Sequence, residues 1–82
     1  MLSALTEEDI IKFHNIVSQN VKRIRLEKRY SQLEVSLALG FKNSSFIVNA
    51  EREKSDKKFN LTHLYQLSVF FEVDLCEFFK EV

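Results

Sequence analysis

The residues in this chain best suited to chemistry are short and polar, and they gather between Lys42 and Lys54. Ser44, Ser45 and Asn49 carry hydroxyl and amide groups, with Val48 among them, at spacings that put all four on one side of a short helix. Such side chains suit base edges in a DNA major groove. A hydroxyl bonds to donors or acceptors, an amide pairs bidentately with adenine, and Val48 or Phe46 can touch a thymine methyl. The serines have a simpler use as N-caps of that helix, and Phe46 as core. Lys42, Asn43, Arg52 and Lys54 lie at the edges of the segment, with Lys57 and Lys58 beyond, as donors for phosphates.

Other chemistry is poorly provided for. His14 and His63 fall on different expected helices without ligand-spaced partners, so solvent-exposed histidines are expected, with no metal and no cofactor. Cys76 is the only cysteine, which fits a reducing compartment, and its neighbours Asp74 and Glu77 disfavour a reactive thiolate. A single glycine leaves no glycine-rich phosphate loop. Neither enzymatic activity nor a small-molecule ligand is expected.

Eighty-two residues, 45% apolar with eight Phe, allow one domain over 1–82 with a dense small core. No apolar run approaches the roughly 18 residues of a membrane span. The segment MLSALTEED is acidic where a signal peptide would be basic, so the expected location is the cytoplasm. Formal net charge is zero, but it is unevenly spread. Asn20 to Tyr30 holds five basic residues against one acidic, and Lys42 to Lys58 five against three. From Phe59 onward only Lys80 is basic, while Glu72, Asp74, Glu77 and Glu81 are acidic. One face can therefore be positive although the total is zero.

The elements that would position these residues are helices. Thr6 caps an acidic first turn, and Ile10, Phe13, Val17, Val21 and Ile24 form one stripe, predicting a helix over 7–28. The basic run at its end is either a dipole-favoured, solvated helix terminus or a phosphate-facing one. Ser31 and Glu34 form a capping box that opens a second helix over 32–39, with Val35 and Leu39 inward, Ser36 allowing close approach, and Gly40 stopping it. A third helix over 44–52 would turn Ile47 and Ala50 inward. Asn60 caps a fourth over 61–71, whose inner candidates are Leu61, Leu64, Leu67, Ser68 and Phe71. Asp74 with Glu77 would cap a fifth over 75–80.

The stretch SQLEVSLALGF, the Glu51-Arg52 ending of the third helix, and LTHLYQLSVFFEVDLCEFF together resemble the Cro/C1-type (XRE) helix-turn-helix family over about 17–79, with 1–16 as an N-terminal helix extension. The resemblance implies an all-α, five-helix lambda-repressor-like domain. It also implies that Arg25 pairs with Glu51, although plain surface charges are the alternative, and that Gln32 clamps a phosphate at the start of the second helix. The chain departs from the family in a longer turn after Gly40, a longer loop over 53–60, and Glu72 where many members place a glycine.

The expected protein is a small transcriptional regulator that binds a double-stranded operator, an inverted repeat, as a homodimer. Phe70, Phe78 and Phe79 are dimer-interface candidates, with core packing as the simpler account of most of them. The alternative is a protein-protein interaction module on the same scaffold that no longer binds DNA, favoured by the zero net charge, the acidic tail and the apolar Phe46 and Val48.

Overall fold

A computed structural model describes residues 5–53 and 55–81. Among these, all regular structure is helical: α1 (Glu7–Glu27), α2 (Gln32–Ala38), α3 (Ser45–Ala50), α4 (Leu61–Phe71) and a 3₁₀ turn, Leu75–Phe79. Three helix starts carry reciprocal capping boxes: Thr6 with Asp9, Ser31 with Glu34, and Asn60 with His63. The expected Asp74–Glu77 box is absent. The segment is 3₁₀ with no side-chain cap, so a fifth α-helix does not form.

With one glycine and no proline, the helix ends need another stop. Arg29, Gly40 and Glu72 all adopt left-handed backbone, at φ of 64°, 93° and 59°. Each is followed by the same pair of hydrogen bonds. Arg29 and Tyr30 donate to Leu26 and Arg25, Gly40 and Phe41 to Leu37 and Ser36, and Glu72 and Val73 to Val69 and Ser68. This is the Schellman closure, which satisfies the last carbonyls of a helix. Only Gly40 adopts the conformation without Cβ strain, and a Cβ there would meet nothing within 4 Å, so backbone angle rather than space selects glycine.

The core joins Val17, Val21 and Ile24 of α1, Val35 and Leu39, Ile47 and Ala50, Phe59, Leu64, Leu67 and Phe71, and Phe78. Phe78 is fully buried, which removes it as a dimer-interface candidate. Phe70 packs its ring on Tyr30 at 4.5 Å at the margin of the core, and only Phe79 of the three stays substantially open. Leu61, expected on the inner side of α4, is exposed instead. It lies on the outer side of α4, because the buried row 64, 67, 71 leaves position 61 off its axis.

Asn20 is a fully buried amide inside the α1 stripe. Its Nδ2 donates to the carbonyls of Phe78 (3.0 Å) and Lys80 (2.7 Å), and its Oδ1 accepts from Arg23. One side chain thus ties the end of the 3₁₀ turn to α1.

The stripe's outer half is only partly covered by the described residues. Ile10 and Phe13 are about half exposed, while Val17 onward is buried. The radius of gyration, 13.0 Å, exceeds the about 12 Å typical of this length, and the long axis is 43 Å. The outer half of α1, where Ile10 and Phe13 stand about half open, is called the arm below.

Candidate nucleic-acid interface

The α2–α3 hairpin is fixed from below by one buried ion pair. Arg25 Nε donates to Glu51 Oε2 at 2.7 Å, its Nη2 to Glu51 Oε1 at 3.0 Å, and its Nη1 to the Tyr30 carbonyl at 2.9 Å. Gln32 Nε2 adds a donor to the same Glu51 Oε1 at 3.1 Å. Both charges are over nine-tenths buried, so the extra hydrogen bonds matter as much as the pairing: they satisfy groups that would otherwise be desolvated without partners. The result links the end of α1, the start of α2 and the end of α3.

Above this clamp, Ile47 and Ala50 point inward, which turns Ser44, Ser45, Val48 and Asn49 to the opposite side of α3. Ser45 and Val48 are exposed, and Ser44 and Asn49 half-buried. The cap differs from the expected one. Ser44 makes no side-chain cap, and Asn43 Oδ1 accepts from Ser45 N at 2.9 Å instead. Both serine hydroxyls are therefore left out of capping. Asn49 Nδ2 donates to the Ser45 carbonyl at 2.9 Å, so its amide lies along its own helix and would have to swing out to reach a base. The helix is also shorter than expected, ending at Ala50.

Phe46 belongs to the fold. It stacks on Phe41 at 4.7 Å and contacts His63 at 4.9 Å and Phe59 at 5.7 Å. His63 is accordingly half-buried rather than solvent-exposed, and its Nδ1 accepts from Asn60 N at 3.2 Å. Burial lowers its pKa. His14, also half-buried, is lowered by burial and by the nearby Lys58 charge.

The cations divide into two groups. Gln32, Val48 and Arg52 meet in an open groove with Gln19 and Lys22 of α1, and Glu51 and Glu53 line it as well. Lys42 and Asn43 are exposed at the other end of α3, although the Asn43 amide oxygen is occupied by its cap. Lys54 lies outside the described residues. Lys58 instead sits beside the arm, sharing a hollow with Asp9, Ile11 and Lys12, and donates to the Ser55 carbonyl. Of the basic run in α1, Arg25 is internal and Arg23 pairs with Glu27 at 3.3 Å, while Lys22 faces the groove. Neither Lys22 nor Gln19 stands out as a site residue in the sequence. Lys22 is visible there only as one member of a basic run, and nothing marks Gln19.

The free cysteine, Cys76, is exposed. No group of three or more His, Cys, Asp or Glu residues among those described could hold a metal ion, and no described helix is long and apolar enough to cross a membrane. No family model, curated protein or solved structure matches this chain.

Proposed function

We propose that this chain is a helix-turn-helix domain of the Cro/C1 type that binds double-stranded DNA sequence-specifically as a dimer and serves as a small transcriptional regulator. The observation that carries the reading is the α2–α3 hairpin itself: a short helix with hydroxyls and Val48 outward, braced by the Arg25–Glu51–Gln32 clamp and flanked by Lys22 and Arg52. In this reading α3 enters the major groove, Ser44, Ser45, Val48 and Asn49 meet base edges, and Gln32, Lys42, Asn43, Arg52 and Lys54 engage the backbone. Lys22 joins them from α1.

The test is a fluorescence-anisotropy titration with random duplex at low and physiological salt. If roughly six phosphates are neutralised per dimer, affinity falls about a thousandfold between 50 and 200 mM salt, and Arg52→Ala and Lys22→Ala, each removing one contact from both protomers, flatten that slope by about two. Absence of binding at micromolar protein, or binding indifferent to salt, overturns the reading. The second reading is an interaction module without DNA. It is favoured by the Asn49 amide held on Ser45 and by zero net charge. Loss of duplex binding at all salts would leave that reading.

A further inference from the structure

A second surface, remote from α2 and α3, is also incomplete. Leu61, Tyr65 and Val69 recur every four residues along α4 and are 78%, 66% and 61% exposed. Tyr65 lies about 160° round the helix from His63, whose ring contacts Phe41 and Phe46, so this row turns away from the hairpin. At its start Leu61 shares a groove with Phe13 and Phe79. Those two rings stack at 6.0 Å with planes 8° apart, and Ile10 extends the apolar surface one turn outward along the arm. Single exposed leucines are ordinary on protein surfaces; six large apolar side chains in continuity are not.

We infer that this face is a homodimer interface, in which the arm and outer α4 of one copy pack on the same surface of a second copy across a two-fold axis. Area supports that occupant. The six side chains leave roughly 600 Å² open per copy, so pairing buries roughly 1,200 Å², which reaches the lower range of specific interfaces. Charge agrees with it. The chain is formally neutral, so a second copy meets no net repulsion, and none of the six residues is charged. Lys58 beside the arm is already matched by Glu8, Asp9 and Asp56 in its own hollow and donates to the Ser55 carbonyl, so it brings no unmatched charge to this face. The interface supplies the two-fold that paired DNA half-sites would need, but it requires no DNA contact.

Sedimentation velocity without DNA, across a protein range reaching about 500 µM, tests it. The wild type is expected to pass from monomer to dimer. Tyr65→Glu weakens association by about tenfold or more with far-UV circular dichroism and melting temperature unchanged. Leu37→Glu, at an exposed site on α2, leaves association intact. A wild type that stays monomeric throughout overturns the inference and assigns the face to a different partner. Tyr65→Glu associating like the wild type, or Leu37→Glu disrupting the dimer in its place, overturns it equally. Because association is read without DNA, its result is independent of the duplex titration.

Discussion

The two halves of α1 carry the same apolar period and meet opposite fates. Val17, Val21 and Ile24 are buried, whereas Ile10 and Phe13, on the same stripe, stand about half open. Periodicity specifies which side of a helix is apolar; it does not specify whether the rest of the chain returns to cover it. In the inner half the return is anchored by polar groups. Arg25 holds α3 through Glu51, and Asn20 holds the carbonyls of Phe78 and Lys80. Phe13 in the outer half reaches another element through its stack on Phe79, and no such polar anchor is seen there among the described residues.

The sharpest way to break the inner half is to remove one charge from its clamp. Glu51→Gln leaves the Arg25 guanidinium buried opposite an amide, and stability measured by urea unfolding should fall by about 3–5 kcal/mol. The hairpin should loosen with it, since Gln32 loses the same carboxylate. An unchanged midpoint would mean that the pair is tolerated rather than required. Replacing both partners by apolar residues should cost less than removing either alone.

The difference between the halves is probed directly by one substitution made twice. Ile24→Ala opens a cavity at a site 2% exposed and should cost about 3 kcal/mol. Ile10→Ala, on the same stripe, should cost less than about 1 kcal/mol at low micromolar protein, where no second copy covers the arm. Equal losses would show that the arm is packed in solution.

How much of this was legible in the sequence depends on the range of the interaction. The cap at Thr6, the capping box at Ser31, and helix ends to within a residue or two follow from neighbours along the chain. So do the inward positions Ile47 and Ala50. The cover over α1 does not, because it depends on where the 3₁₀ turn docks after more than fifty intervening residues. Asn20 shows why: a polar residue inside an apolar stripe marks a buried hydrogen-bonding need, but its partners are backbone carbonyls that carry no residue code. Fully buried Phe78 beside half-open Phe79 was hidden for a similar reason. Consecutive aromatics cannot be sorted until the turn's helical type is known, and expecting an α-helix there gave the wrong phase. At the candidate interface, the outward side of α3 followed from periodicity. The occupied amides of Asn43 and Asn49 did not, because each competes between its own backbone and an external partner.

A smaller effect separates conformational strain from contact. Glu72 closes α4 in the left-handed region at φ 59° without the freedom of glycine, so Glu72→Gly should stabilise by about 1 kcal/mol. Gly40→Ala should destabilise by a similar amount despite the open space around it, since φ is 93°. Thermal melts of the two variants should move in opposite directions. Parallel shifts would mean that side-chain contacts, not backbone angles, govern these helix ends.

The smallest expected effect is a loss of stability in mild acid, and its sign comes from the two histidines. His63 accepts the Asn60 N–H through Nδ1, which requires an unprotonated nitrogen, and burial among Phe41, Phe46 and Phe59 lowers its pKa. Burial and Lys58 lower that of His14 as well. A pKa below the unfolded value of about 6.5 means the unfolded chain takes up protons first. Stability should therefore be complete above about pH 6.5 and decline as pH falls through the folded values. For His63 the loss is a fraction of the about 1 kcal/mol that a helix cap contributes. His63→Gln keeps an acceptor for Asn60 and should remove that part of the slope, while His14→Gln removes the remainder. A slope between about pH 7.5 and 5.5 that survives both substitutions would place the titration elsewhere. Because His63 also backs Phe46 on α3, its protonation would loosen the hairpin end of the molecule, while that of His14 would loosen the arm.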